Sequence, residues 1–446
     1  MTITFRAVGG FGEIGRNMCA VKINDNVFIF DMGLHLQNYI EITEQEREQF
    51  VPLSESLLKK NDAIPQDDII SDWLPNVRAI LTTHAHLDHM GAIPWLAHKY
   101  NAPVICSPFS AHILKSIIRE DELEFENRII ELKPSKKMKI AKDVSIEFVR
   151  TTHSTPQAVI IVLHTSEGII MYGNDFRLDK NPTLGKAPDF SRLKALGKKG
   201  VKLLIEDCLY SCKQGHTGTE KDVKEKLKNI LFTEGKKNKG LIVTTFGSHI
   251  ERLHNISIIG KKLGRKVFFL GRSLARYCFA AQDCKITKFD GVSISKFAKQ
   301  SRRYLRQINK RGKENCLLVV TGHQGEPKAS LSKMVDGLLP YKFSNKDVVV
   351  FSSSIIPVKD NEENRAILEK KLLEKGVCIY DNVHISGHCF KEDVIEFLNL
   401  VKPQNFIPAH GTKEKTDCMI SLIKENNILD KKKVYVVVNG DSVTID

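Results

Sequence analysis

Short apolar runs and helix-length amphipathic segments alternate along most of this chain. Val27 to Phe30, Val144 to Arg150, Ala158 to Leu163, Ile169 to Tyr172 and Val201 to Ile205 read as buried strands. Ser166-Glu167-Gly168 falls between two of them as a hairpin turn. From Leu241 to Thr245, Val267 to Leu270, Leu317 to Val320 and Val348 to Phe351 the apolar runs are separated by helix-length segments, the layout of a parallel sheet in a second α/β domain. After Gly376 the pattern predicts strands at Val377 to Tyr380, Phe406 to Pro408 and Tyr435 to Val438, with a helix around Glu392 to Val401. Between Lys299 and Lys313 the spacing of Phe297, Tyr304, Leu305 and Ile308 predicts a helix that buries one face and turns its cations outward. A solvated face accounts for that pattern as it stands; contact with a polyanion is the alternative.

Chemistry enters where the strands end. Immediately past the run Val77 to Leu81 the chain reads His84-Ala85-His86-Leu87-Asp88-His89, three imidazoles and a carboxylate in six positions. At the end of an extended strand residues i and i+2 point the same way, so His84 and His86 can reach one metal ion while Asp88 and His89 face a second. Imidazole and carboxylate without cysteine suit Zn or Mn in an open hydrolytic site better than a closed structural zinc. Asp31, His153, Asp175 and His410 each follow a predicted strand too, and carboxyl ends of strands are where sites assemble in α/β folds. Gly10 to Gly15 satisfies GxGxxG, with Asp31 about 20 residues on. A dinucleotide fingerprint must open a helix, whereas Asn17 to Ile23 alternates as a strand, so a tight hairpin explains these glycines.

Composition adds three constraints. The 446 residues, 42% hydrophobic, suffice for two or three domains, and no apolar stretch is long enough to span a membrane. The N-terminus opens in a strand-like alternation rather than a signal peptide, so cytoplasmic residence is the expectation. Ten cysteines without a CxxC pair read as reduced thiols rather than a disulfide frame. The net charge of +14 suits a polyanionic substrate such as RNA or DNA, although a lysine-rich surface also accompanies heat adaptation.

Together, Asp31, His84 to His89, His153, Asp175 and His410 resemble the ligand set of the metallo-β-lactamase fold. Asp207, His388 within His384-Ile385-Ser386-Gly387-His388, and His410 within Pro408 to Gly411 are similar to the three further motifs of its β-CASP nucleic-acid-processing branch. Gly9 to Asn17, Thr321 to Pro327 and Phe351 to Pro357 resemble ribonuclease J segments. The resemblance spans essentially the whole chain. It implies an αββα metallo-β-lactamase sandwich over residues 1–208 and 379–446 with an inserted α/β β-CASP domain over 209–378. It implies a 5′-to-3′ exoribonuclease on single-stranded RNA with a 5′-monophosphate, two divalent ions, Zn or Mn, and a homodimer. Residue by residue, it implies that His84, His86 and His153 hold one ion, Asp88, His89 and His410 the other, and that Asp175 bridges them. His388 would act on the scissile phosphate or the leaving oxygen, with Asp31 and Asp207 orienting imidazoles. Anion binding would fall to Ser352, Ser353, Ser354, His384, Ile385, Ser386, Gly387, Gly247, Ser248 and His249, with turn formation the competing account. An endonuclease of the polyadenylation-factor type would carry extra N-terminal RNA-binding domains, which this chain gives no sign of. A non-catalytic RNA scaffold and a glyoxalase-like thioesterase are weaker readings, given the intact ligand set, the middle domain and the basic charge. The segment Leu36 to Asp72 is an unassigned insertion whose acidic residues around Glu41 to Glu48 argue against direct RNA contact there.

Overall fold

The computed structural model describes residues 2–49, 53–356 and 359–445; Pro357, and the side chains of the acidic run from residue 44 onward, lie outside them. The chain divides into two compact units, one of residues 1–178, 187–217 and 387–446, the other of 179–186 and 218–386.

In the first unit two sheets stack. One runs in the order Ser442–Ile445, Ile3–Gly9, Met18–Ile23, Asn26–Phe30, Val77–Leu81, Val104–Cys106, Ile129–Glu131. The other runs Phe406–Ala409, Val201–Asp207, Gly168–Gly173, Val159–Thr165, Val144–Arg150, Lys136–Ala141. Alternation decides which side chains meet between them. Phe5, Val21, Phe28 and Phe30 from the first sheet join Ile146, Phe148, Ile161, Tyr172 and Ile205 from the second in one dry cluster. The intervening residues of the second sheet, among them Ile160, Val162 and Leu204, pack under the helices Phe190–Lys199, Lys391–Val401 and Lys413–Glu425. Helices therefore cover strands that are apolar on both faces, and the αββα sandwich follows.

The second unit holds a six-stranded parallel sheet, Ser293–Ser295, Lys266–Leu270, Cys316–Val320, Gly240–Thr244, Asp347–Phe351, Cys378–Tyr380, with helices between successive strands. Leu318, Val320 and Phe351 pack against Leu305, Ile308, Leu331 and Leu368 on one face.

Three local expectations fail. Tyr435 to Val438 is not a strand: the chain touches Phe406 through a single bridge at Val434, Val436 and Val438 are exposed, and the edge strand is Ser442–Ile445 instead. Phe297, expected on a buried helix face, is 66% exposed because it caps the helix Ala298–Arg311 from outside its first turn. Cys212 and Cys418 form a disulfide, joining residues 206 positions apart that no local spacing could have paired. The other eight cysteines are free thiols. The unassigned insertion is helical at Leu36–Gln49 and Glu55–Lys60, followed by 3₁₀ turns over Asp67–Asn76. No helix among the described residues is long and apolar enough to cross a membrane.

Candidate metal centre

Nine of the sequence-predicted residues gather at the strand ends of the first unit and the short helix beside them. Asp31 follows the strand Asn26–Phe30, His84 follows Val77–Leu81, His153 follows Val144–Arg150, Asp175 follows Gly168–Gly173, and Asp207 closes Val201–Asp207. His410 sits between Phe406–Ala409 and Gly411–Thr412. His86 precedes the short helix Leu87–Met90, whose first turns carry Asp88 and His89. Asp31, Asp175 and His410 all occupy the left-handed backbone region, with φ of 55°, 54° and 53°. For side chains other than glycine that conformation costs of order 1–3 kcal/mol each, which the surrounding hydrogen bonds must offset.

Hydrogen bonds at the outer ring nitrogens decide where the inner ones point. His89 Nδ1 lies 2.8 Å from Asp31 Oδ2, and a carboxylate only accepts, so Nδ1 carries the proton. Asp31 is itself held by the Thr83 backbone N–H at 2.8 Å and by the Thr83 hydroxyl. With that hydroxyl proton committed, the Thr83 oxygen, 3.0 Å from His84 Nδ1, accepts from the His84 ring. His153 Nδ1 donates to the Gly387 carbonyl at 2.9 Å, and His410 Nδ1 donates to Asn17 Oδ1 at 2.8 Å. Asn17 also receives Asn174 Nδ2 at 3.2 Å, which fixes the orientation of its amide.

The four Nε2 atoms left over converge on one carboxylate. Asp175 Oδ2 is 3.2 Å from His89 Nε2 and 3.9 Å from both His84 Nε2 and His153 Nε2, while Oδ1 is 3.7 Å from His410 Nε2. His86 joins through Nδ1, 3.1 Å from His153 Nε2, with its Nε2 against the Ser154 hydroxyl. Three overlapping groups could each hold a cation: His84, His86, His153 and Asp175; Asp88, His89 and His410; and Asp175, His388 and His410. His84 Nε2 and Asp175 Oδ1 are buried without a hydrogen-bond partner, and such atoms are costly unless something else meets them.

Burial pushes the His84 and His153 imidazoles well below their ordinary range and His86 down to about 4, so these three are neutral ligands at pH 7. At His89 burial is outweighed by Asp175, Asp88 and Asp31, which raise it; the Asp175 carboxyl is held low, against its burial, by His89, His388 and His410.

Of the three groups that could hold a cation, His388 enters only the third. Its Nδ1 donates to Asp207 Oδ2 at 2.6 Å and lies 3.7 Å from Asp175 Oδ1, and its ring stacks on His410 at 5.7 Å between centroids. Burial would lower it, but Asp175 and Asp207 bring it up to about 9.

Sequence reasoning missed Asn17, Thr83 and Gly33. A Cβ at Gly33 would sit 1.7 Å from the Asp88 carbonyl oxygen, so only glycine lets the chain pass the ligand helix. Gly387, expected at an anion site, lies against His153: a Cβ there would meet the ring at 2.4 Å.

The remaining candidates lie at the strand ends of the second unit. Ser352 is fully buried, its Oγ donating to the Val383 carbonyl at 2.8 Å and accepting from Arg252 at 2.6 Å, so its hydroxyl is committed within the fold. His249 is buried 3.5 Å from Glu220, which holds Arg252 in turn. Gly247 passes close to Ser273 and Leu274 at the start of the helix Arg272–Asp283. Ser248 is buried, Ser353 Oγ is buried without a hydrogen-bond partner, and Ser354, His384, Ile385 and Ser386 are half-buried. His323 lies nearby, its ring 4.1 Å from Phe246 and both nitrogens without a partner.

Comparison with known proteins agrees with this architecture. Residues 54–186 match the Beta-lactamase superfamily domain, 238–369 the Ribonuclease J beta-CASP domain, and 377–437 the Zn-dependent metallo-hydrolase RNA specificity domain. Ribonuclease J of Methanocaldococcus jannaschii is 37% identical over 100% of this chain and 99% of its own. That of Pyrococcus abyssi is 38% identical over 99% and 97%. Ribonuclease J 1 of Streptococcus pyogenes is 30% identical over 98% of this chain and 74% of its own. A crystal structure of a protein of unknown function from Enterococcus faecalis V583 superposes with a TM-score of 0.62 at 15% identity over both full lengths, a likeness of fold. On these grounds the chain belongs to the ribonuclease J family, a metallo-β-lactamase fold with an inserted β-CASP domain.

Proposed function

We propose that this protein is a metal-dependent ribonuclease that hydrolyses phosphodiester bonds of single-stranded RNA from the 5′ end, with preference for a 5′-monophosphate. The observation that carries the proposal is the convergence of four Nε2 atoms on Asp175, each ring locked from behind by its own acceptor. Two buried donor atoms without partners and a set of neutral imidazoles and carboxylates fit two divalent cations, Zn or Mn. His84, His86 and His153 would hold one, Asp88, His89 and His410 the other, with Asp175 shared. When bound, such ions supply Lewis acidity toward a phosphodiester and lower the pKa of water.

The chain's own groups do the rest. Asp31, Thr83, Asn17 and the Gly387 carbonyl keep the imidazoles in the tautomer that presents Nε2. Asp207 fixes the His388 ring through Nδ1, which leaves Nε2 to carry a proton toward the substrate. It donates that proton to the departing 3′ oxygen. Ser353, Ser354, Ser386 and His384, with the backbone from Gly247 to His249, form the candidate anion site of the second unit; Ser352 and Ile385 shape it.

A time course on RNA labelled near its 3′ end, bearing a 5′-monophosphate or a 5′-triphosphate, tests this reading with Mn or Zn supplied. Progressive shortening from the 5′ end, faster for the monophosphate, is expected. Discrete internal cuts indifferent to the 5′ group would replace the exonuclease by an endonuclease, and no cleavage under either metal would leave an RNA-binding scaffold.

A further inference from the structure

The helix Ala298–Arg311 follows the edge strand Ser293–Ser295 of the second unit. Ser301, Leu305 and Ile308 bury its inner face, and Leu305 and Ile308 join the core beside Leu331 and Met334. On the opposite side stand Lys299, Arg302, Arg303, Arg306 and Lys310, all exposed. At 100° per residue these five fall within one stripe about 100° wide, running about 16 Å along the axis at 1.5 Å per residue. Like charges three and four positions apart repel, and a helix ordinarily relieves such repulsion with interleaved carboxylates. Here there is no acidic residue anywhere between Asp290 and Glu314. Among the described residues none of the five has an acidic partner elsewhere; the one interaction beyond the helix backbone is Arg303 over the ring of Tyr304, 5.5 Å away. Other cations on this unit do have acidic partners, as Lys371 has Asp336 at 2.7 Å and Lys228 has Glu225 at 3.0 Å. Phe297, exposed at the head of the stripe with Lys296 Nζ 5.8 Å from its ring, offers a surface on which a base can stack.

We propose that this stripe is a second RNA-contact surface that holds the sugar-phosphate backbone of a longer substrate without reading its sequence. Charge without counter-charge fits a polyanion, and the straight row of point charges fits a backbone rather than base edges. The proposal rests on the ribonuclease reading only for the identity of that polyanion.

The test measures binding of a fluorescent 40-nucleotide RNA to the full chain carrying Asp175→Ala, in chelator so that nothing is cut, across a salt series. Replacing Arg302, Arg303 and Arg306 together by Gln is expected to lower the slope of log affinity against log salt by about 2, at about 0.7 for each phosphate that the variant no longer neutralises. Affinity at 0.1 M salt should fall on the order of tenfold or more. Replacing the same three by Lys should keep the slope, which separates charge from disturbed folding. In the otherwise native chain, the Gln variant should hydrolyse a tetranucleotide, which offers too few phosphates to fill the stripe, as fast as the parent. Unchanged affinity and slope in the Gln variant, with hydrolysis intact, would overturn the proposal and leave a solvated helix. Hydrolysis absent in the parent while the slope still falls would sink the ribonuclease reading alone.

Discussion

The strand ends of the two units carry similar residues and use them differently. In the first unit histidines and aspartates spend their outer atoms on Asp31, Thr83, Asn17 and Gly387 and leave their inner atoms facing one another around Asp175. In the second, Ser352 is taken by Arg252 and the Val383 carbonyl, and Arg252 by Glu220, so this group closes on itself, while Ser353 and His323 beside it keep unmet atoms. A site is therefore recognised less by which polar residues gather than by where their hydrogen bonds are directed. A buried donor set with unmet atoms is prepared for a ligand, and one whose bonds are complete is holding the fold.

Substitutions should separate the two kinds of strand end. Asp175→Ala removes the carboxylate on which four rings converge, and cleavage should fall by roughly 10³-fold or more, together with bound metal. His388→Ala should keep its metal content yet lose roughly 10²- to 10⁴-fold in turnover, the range of a general acid; unchanged turnover would remove His388 from the chemistry. Glu220→Gln leaves the buried Arg252 cation without its counter-charge, and should cost about 3–5 kcal/mol in denaturant unfolding while metal binding in the folded chain stays the same. Loss of metal with stability intact would reverse the contrast.

A smaller effect tests a charge group in the middle of the strand Val144–Arg150. Burial would raise the Glu147 carboxyl, but hydrogen bonds from His164 and Arg192 bring it down to about 2. A folded-state pKa below the unfolded one gives stability that is present above about 4.3 and lost as pH falls toward 2. Urea midpoints of the parent and Glu147→Gln should therefore differ at pH 7 and converge near pH 2.

The metal motif was legible because its residues are contiguous and each partner follows an apolar run long enough to read as a strand. The parallel sheet of the second unit was legible for the same reason. Asn17 and Thr83 were not, since an amide or hydroxyl that braces an imidazole has no spacing of its own; its role exists only once Asp31, His89 and His410 are brought together by the sheets. Gly33 and Gly387 look like turn glycines until the Asp88 carbonyl and the His153 ring are seen against them. The Cys212–Cys418 link depends on where the helix Lys413–Glu425 lands, which local pattern does not encode. Tyr435 to Val438 has the composition of a strand but meets no partner edge beyond one bridge, and pairing decides what propensity only suggests.

The most direct test of the central claim is a calorimetric titration of Mn and of Zn into the metal-stripped chain and its Asp175→Ala variant. The account predicts two equivalents per chain for the parent and loss of at least one in the variant. Equal binding by both chains, or no binding by the parent, would contradict it.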